Sequence, residues 1–210
     1  MLILKVLKAK QHLFNIELSN GEQIALDKTV CEENGIFEGN EISEEDIKRI
    51  CFESDYFRAK SRALWYLDRM DHTEKALYQK LLRAGFSKEA SAAVLAKLVE
   101  LQMVDDRRYA ERFAERCCDN NISKREALQK MLLKGIPLNL AKQVLSETET
   151  DESAQIEALL KGKYAYKLSR EGGVQKVYAS LIRKGFSFSA VKEALKRYSI
   201  ELENCEDYDV

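Results

Sequence analysis

The residues able to do covalent or metal chemistry are few in this sequence, and their spacing argues against most enzymatic uses. Two histidines, His12 and His72, have no second histidine at helical spacing and no Cys-x-x-Cys pair to complete a metal site. Five cysteines, Cys31, Cys51, Cys117, Cys118 and Cys205, are odd in number and lack metal-ligand spacing, which fits free thiols in a reducing compartment. The adjacent Cys117 and Cys118 read as buried structural residues, with a redox pair as the alternative. Gly162-Lys163 lacks both the preceding glycine spacing and the following serine or threonine of a phosphate-binding loop. Asp105-Asp106 pairs two carboxylates, but adjacent side chains at a helix start diverge, and capping with dipole complementarity accounts for them. No glycine-flanked serine elbow is present. No catalytic residue, cofactor or metal site is expected, and the chain reads as a non-enzyme.

What remains is a constellation of cations and aromatic rings. Arg58, Lys60, Arg62 and Arg69 are interleaved with Tyr56, Phe57, Trp65 and Tyr66. Arg108, Arg112 and Arg116, with Arg107 beside them, are spaced by four and share a helical face. Pairing with Glu111 and Glu115 on a solvated helix is the plainer reading of that stripe. Lys80 and Arg83, then Lys124, Arg125, Lys130 and Lys134, then Lys176, Arg183 and Lys184 recur on later segments. The partner-binding candidates are therefore Arg62, Arg69, Lys80, Arg83, the Arg108-Arg112-Arg116 stripe and these seven later cations. The charge is unevenly placed: residues 1–54 carry 6 basic and 11 acidic side chains, 55–104 carry 9 and 6, 105–150 carry 9 and 8, 151–198 carry 10 and 5, and 199–210 carry 0 and 5. A basic body between acidic ends suits nucleic acid or an acidic protein groove, although solvated helix faces give much the same pattern.

The elements that must position these residues follow from periodicity. At 210 residues, 45% hydrophobic and 33% charged, the chain is long enough to fold without metals or disulfides. Its apolar runs fall far short of the roughly 20 residues needed to cross a bilayer, and Met1-Leu2-Ile3-Leu4-Lys5 reaches charge too soon for a signal peptide. A cytoplasmic location is expected. Leu2–Leu7, Leu13–Leu18 and Gln23–Leu26 alternate as short antiparallel strands, with a turn at Asn20-Gly21, and they should pack on a helix opened by Ser43.

From Asp55 onward the spacing is helical and repeats at an offset of 50 residues: Leu81-Leu82-Arg83-Ala84-Gly85-Phe86, Met131-Leu132-Leu133-Lys134-Gly135-Ile136 and Leu181-Ile182-Arg183-Lys184-Gly185-Phe186 correspond. Each glycine stops a helix in the left-handed conformation, and Ser87, Pro137 and Ser187 start the next. Ser123 with Glu126 makes a capping box. Three repeats of three helices are predicted, near 55–69, 73–84 and 87–102, then 105–119, 123–134 and 137–147, then 152–169, 171–184 and 187–198. The fold class is mainly α, with three tandem three-helix repeats in an elongated or curved array after a small β unit. The domains are 1–54, 55–104, 105–150 and 151–198, followed by an acidic tail at 199–210.

Ala63-Leu64-Trp65-Tyr66-Leu67-Asp68-Arg69, Thr73-Glu74-Lys75-Ala76-Leu77 and Lys80 to Phe86 together resemble the first repeat of the RecX family. Leu98 to Asp106 with Tyr109-Ala110 is similar to the family's junction motif, and Leu133-Lys134-Gly135-Ile136 to its second-repeat ending. The resemblance covers nearly the whole chain. Thr73 stands where the family has serine, and a glycine usual before the second repeat's middle helix is absent around Asn121-Ile122-Ser123. The resemblance implies a protein without catalytic residues that binds the RecA–DNA filament and modulates, usually by inhibition, its extension and activities. The expected partner is the RecA recombinase filament, with single- or double-stranded DNA as a further partner, no membrane, and a monomeric state. A general DNA-binding module and an inert helical scaffold are the competing readings, and steep salt dependence on naked DNA separates the former from a filament regulator.

Overall fold

The structure, a computed structural model, describes residues 1–9 and 12–206, with side chains to residue 198. Of the acidic tail, the backbone of 199–206 continues the last helix; its side chains, that of Cys205 included, and residues 207–210 lie outside the described residues. The chain forms two compact units, Met1–Asp105 and Asp106–Val210. No helix among the described residues is long and apolar enough to cross a membrane.

In the first unit, β1 (Ile3–Lys8), β2 (Leu13–Leu18) and β3 (Gln23–Asp27) make an antiparallel meander in that order. The β2–β3 register pairs Phe14 with Leu26 and Ile16 with Ile24. Gly21 supplies the positive φ, 83°, of the intervening turn. Alternation sends Ile3, Ile16, Leu18 and Leu26 to one face, where they bury against Ile47 and Ile50. Those two residues belong to α2 (Glu44–Arg69), whose cap, Ser43 Oγ, accepts from the Asp46 amide at 3.0 Å. The second half of α2 turns Ala59 and Ala63 into another core, with Leu77 and Leu81 of α3 (Glu74–Arg83) and Val94 and Leu98 of α4 (Lys88–Glu100). Thr73 caps α3 by accepting from the Ala76 amide at 3.1 Å, so threonine performs the serine's task there.

In the second unit, α5 (Asp106–Asp119), α6 (Lys124–Leu133) and α7 (Leu138–Glu147) enclose Ala110, Ala114, Ala127, Met131 and Val144. Asn121 has φ 53° just before α6. Asparagine tolerates this left-handed conformation better than most residues, which accounts for the loss of the family glycine. A further core gathers Ile156 and Leu160 of α8 (Glu152–Lys161), Leu181 of α10 (Gly173–Arg183) and Val191 of α11 (Phe188–Glu206).

The same stop occurs three times. Gly85, Gly135 and Gly185 have φ of 91°, 94° and 91°. The next residue's amide reaches back across the last turn, from Phe86 to Leu81 O, Ile136 to Met131 O and Phe186 to Leu181 O, at 3.3, 3.1 and 3.3 Å. The helix that follows is tied to the repeat's first helix by a carboxylate: Asp55 accepts from the Ser87 amide at 2.7 Å, and Glu152 from the Ser187 amide at 2.8 Å. The middle repeat has Pro137 at this position, with no N–H to satisfy, and joins the same two helices through Arg107 and Glu147 at 2.7 Å instead.

Several predicted boundaries are corrected. The helix expected at 55–69 is the end of the unbroken α2, because Ser54 is buried and spends its hydroxyl on the Asp27 amide at 2.7 Å rather than on a new cap. A short helix, α1 (Lys28–Glu33), was not expected; Asp27 caps it by accepting from the Thr29 amide at 2.9 Å. The segment expected as one helix over 152–169 breaks at Gly162, so that Tyr164 can bury its ring and bond Ser180 Oγ at 2.8 Å before the single turn α9 (Ala165–Leu168). The final helix extends beyond 198 to Glu206. Pro137 stands at the cap of α7 and not inside its first turn.

The repeated stop predicts that Gly135→Ala destabilises the chain by about 1–2 kcal/mol, whereas Gly135→Asn costs less. Urea unfolding followed by helical circular dichroism measures both, and equal stability of the two variants with the parent would show that the left-handed stop is dispensable.

Candidate functional site

The second unit gathers four of the predicted cations around one groove. Arg125 and Lys130 come from α6, while Arg183 and Lys184 come from the end of α10, around a cavity of about 590 Å³ that Glu126, Gln129, Leu133 and Ser180 also line. Local sequence sets this up. Ser123 Oγ accepts from the Glu126 amide at 3.2 Å as the α6 cap and donates to the Lys184 carbonyl, joining the start of α6 to the end of α10. At the crossing, a Cβ on Gly185 would lie 2.7 Å from Arg125 Cβ, so glycine serves both the turn and the passage of Arg125. Glu126 directs its carboxylate into the groove, 2.9 Å from Lys130 and 3.3 Å from Lys184. Partial burial raises its pKa, but hydrogen bonds from Lys130 and Lys184, and their charges, outweigh this and hold the carboxyl below the ordinary glutamate value. The groove keeps a net positive charge, and beside it Leu133 is 88% exposed, the most exposed large apolar side chain among the described residues. An exposed leucine rimmed by arginine and lysine suits a macromolecular contact with an acidic or phosphate-bearing surface.

The remaining candidates take other places. On α5, Arg108, Arg112 and Arg116 are exposed on the side away from Ala110 and Ala114. Arg116 and Lys134 both approach the Phe113 ring, at 5.9 and 5.6 Å. Arg107, beside the stripe, pairs with Glu111 at 2.9 Å. Lys124 donates to the Thr148 carbonyl at 2.9 Å and so finishes α7. Lys176 is exposed near the start of α10, two turns before Arg183. In the first unit, Lys80 faces inward, 3.2 Å from His72 Nε2 and 4.7 Å above the Tyr66 ring. Arg83 complements the C-terminal end of the α3 dipole. Arg62 and Arg69 flank Trp65, at 5.5 and 3.5 Å from its ring.

Among the described residues, the cysteines and histidines do not form a competing centre. Burial, reinforced by Asp27 and Glu32, pushes the Cys31 thiol up to about 11, and burial also raises Cys51 and Cys117. Unreactive thiols follow. Among the described residues, no group of three or more histidines, cysteines or carboxylates could hold a metal ion. Sequence reasoning missed Glu126 as the clamp on two lysines and Leu133 as an exposed anchor. Glu126 was assigned to a capping box, and one turn of helical spacing does not reveal which apolar residue faces solvent.

Fold and site together define a class: a tandem three-helix protein that displays cationic grooves on short helices. Residues 59–98 match the RecX first three-helix domain. The regulatory protein RecX of Streptococcus gordonii is 31% identical over 206 residues, covering 96% of this chain and 78% of that protein. That of Clostridioides difficile is 27% identical and covers 92% of its own length. A solved structure of a regulatory protein RecX superposes with a TM-score of 0.67 at 24% identity, covering 93% of this chain and 98% of the other. The RecX structure from Lactobacillus salivarius gives 0.61 at 22% identity over 70% of this chain and 97% of that one. The chain belongs to the RecX family of regulatory proteins.

Because the folded-state pKa of Glu126 is depressed, its contribution to stability is fully present above the unfolded glutamate value and is lost as pH falls through the folded one. Glu126→Gln should cost about 0.5–1 kcal/mol at neutral pH, the solvent-screened worth of such a pair. Urea titrations over a pH series test this: the gap between parent and variant should close on acidification, and a gap that persists in acid would contradict the ion-pair assignment.

Proposed function

We propose that this chain regulates the RecA recombinase filament in the cytoplasm, docking on RecA–DNA through the α6–α10 groove and restraining filament extension without catalysing a reaction itself. The observation that carries this reading is the convergence of Arg125, Lys130, Arg183 and Lys184 around one groove beside the exposed Leu133. Family membership supplies the regulatory class. The groove supplies the chemistry: fixed cations for carboxylates or phosphates, and an apolar anchor whose burial favours protein over naked nucleic acid.

The groove is built between two helix ends and held by Ser123 and Glu126, so its cations are arranged before a partner arrives. Pre-arrangement lowers the entropy lost on binding. Stabilising one bound state of the filament restrains growth in proportion to the difference in affinity between states, and no covalent step is required. A monomer satisfies this scheme.

The double variant Arg125→Glu/Arg183→Glu should bind an ATP-bound RecA filament on single-stranded DNA about tenfold more weakly at low salt, with the deficit narrowing as salt rises. Both side chains are exposed, so the helical circular dichroism should stay as in the parent. Anisotropy of labelled filaments gives the affinity. Undiminished binding by a folded double variant would remove the groove from the interface.

A further inference from the structure

The first unit carries a second concave surface that the filament-binding groove does not use. It has a volume of about 590 Å³ and lies where β3 passes into α1, facing the second half of α2, with Phe86 closing one side. Phe57, Ser61 and Trp65, spaced by four along α2, run through it as one stripe. Phe57 is 44% exposed and Trp65 is 45% exposed, and neither belongs to the two apolar cores that the helix serves. Their rings stand about 12 Å apart along the helix axis, by the rise of eight residues. Both rings are therefore nearly half open to solvent at this spacing, while Trp65 also packs edge-on against Tyr66 at 5.3 Å.

Cations accompany the rings. Arg58 lies 5.6 Å from the Phe86 ring, and Arg62 and Arg69 lie 5.5 and 3.5 Å from Trp65. Arg69 is further fixed by a hydrogen bond from Nη1 to the Trp65 carbonyl at 3.2 Å. Lys28, paired with the exposed Glu32 at 3.4 Å, adds a charge from the start of α1. Among the described residues, the one carboxylate in the lining, Asp27, is buried and occupied as the α1 cap, accepting from the Thr29 amide. The surface thus offers half-exposed aromatic rings, Trp65 with the Arg69 guanidinium stacked over one face, with further cations near them and, among the described residues, no exposed carboxylate in its lining.

We infer that this α2 surface is a binding site for single-stranded nucleic acid, whose bases stack on Trp65 and Phe57 while Arg58, Arg62 and Lys28 meet the phosphates. A single strand supplies both partners at once, flat base faces and a regular line of negative charge. A duplex hides its base faces inside the stack. An acidic peptide would satisfy the cations but leaves two widely spaced exposed rings without use. This inference concerns a different unit from the groove proposed to dock on the filament, and its test contains no RecA, so either reading can fail without the other.

Trp65 is the only tryptophan in the sequence and therefore reports on its own site. The full-length protein is titrated at low salt with a short oligothymidylate, an abasic deoxyribose-phosphate strand of equal length and polyglutamate, following tryptophan emission. Oligothymidylate should quench Trp65 and bind about tenfold more tightly than the abasic strand. By anisotropy of labelled oligothymidylate, Trp65→Ala and Phe57→Ala should each weaken binding by roughly 5- to 100-fold, the range for losing one stacked base, and Trp65→Phe should retain most of the affinity. Arg58→Ala/Arg62→Ala should weaken both strands and flatten the salt dependence. Equal affinity for the abasic strand, or undiminished binding by folded Trp65→Ala, would overturn the inference. Quenching by polyglutamate without quenching by oligothymidylate would also overturn it and mark the surface as a protein-binding one.

Discussion

A helix that ends in a left-handed glycine must reverse direction within one residue, and this constraint governs most of the chain. Gly85, Gly135 and Gly185 each adopt φ near 90°, and the amide after each bonds back across the final turn. The apolar residue that follows, Phe86, Ile136 or Phe186, is thereby directed back toward the helix that has just ended. The positions before each stop then fall into register: Leu77, Ala127 and Val177 are buried at equivalent places, as are Leu81, Met131 and Leu181. A stop that drifted by one residue would rotate that buried face by about 100° and bring cations into the core.

The functional surfaces are products of the same geometry. Small residues such as Ala59, Ala63, Ala110 and Ala114 line the cores, so the helices approach closely and their long charged side chains are left at the rims. Where the end of α10 meets the start of α6, the glycine stop places the Lys184 carbonyl within reach of Ser123, and Arg125 crosses the bare face of Gly185. The convergence of four cations follows from that meeting. Glu126 tempers their repulsion without cancelling the charge, which leaves the groove stable and still attractive to an acidic or phosphate-bearing partner.

Local signals were legible in the sequence where one residue type answers one backbone demand. Glycine for positive φ, serine for an exposed amide and strict alternation for strands placed the stops, the caps of α2, α4 and α6, and the three strands. Boundaries failed where a tertiary contact reassigned a residue. The buried Ser54 accepts from the Asp27 amide and α2 runs unbroken through the start expected at 55, and the burial of Tyr164 goes with a break at Gly162 in the helix expected over 152–169. The candidate cations were visible by type and by recurrence. Their grouping was not, because Arg125 and Arg183 are separated in sequence and only packing brings them to one groove, while Lys124 and Lys80 are drawn into structural contacts.

The central claim is that a RecX-family chain of this architecture binds the assembled RecA filament far more tightly than either of its components. The direct measurement compares binding of the purified chain to single-stranded DNA, to RecA alone and to an ATP-bound RecA filament, while RecA's DNA-dependent ATP hydrolysis is followed in the same samples. The account predicts tight binding to the filament, much weaker binding to either component, and a fall in hydrolysis as the chain is added. Equal binding to naked DNA and to the filament, with hydrolysis unchanged, would contradict it and leave a general DNA-binding repeat protein in its place.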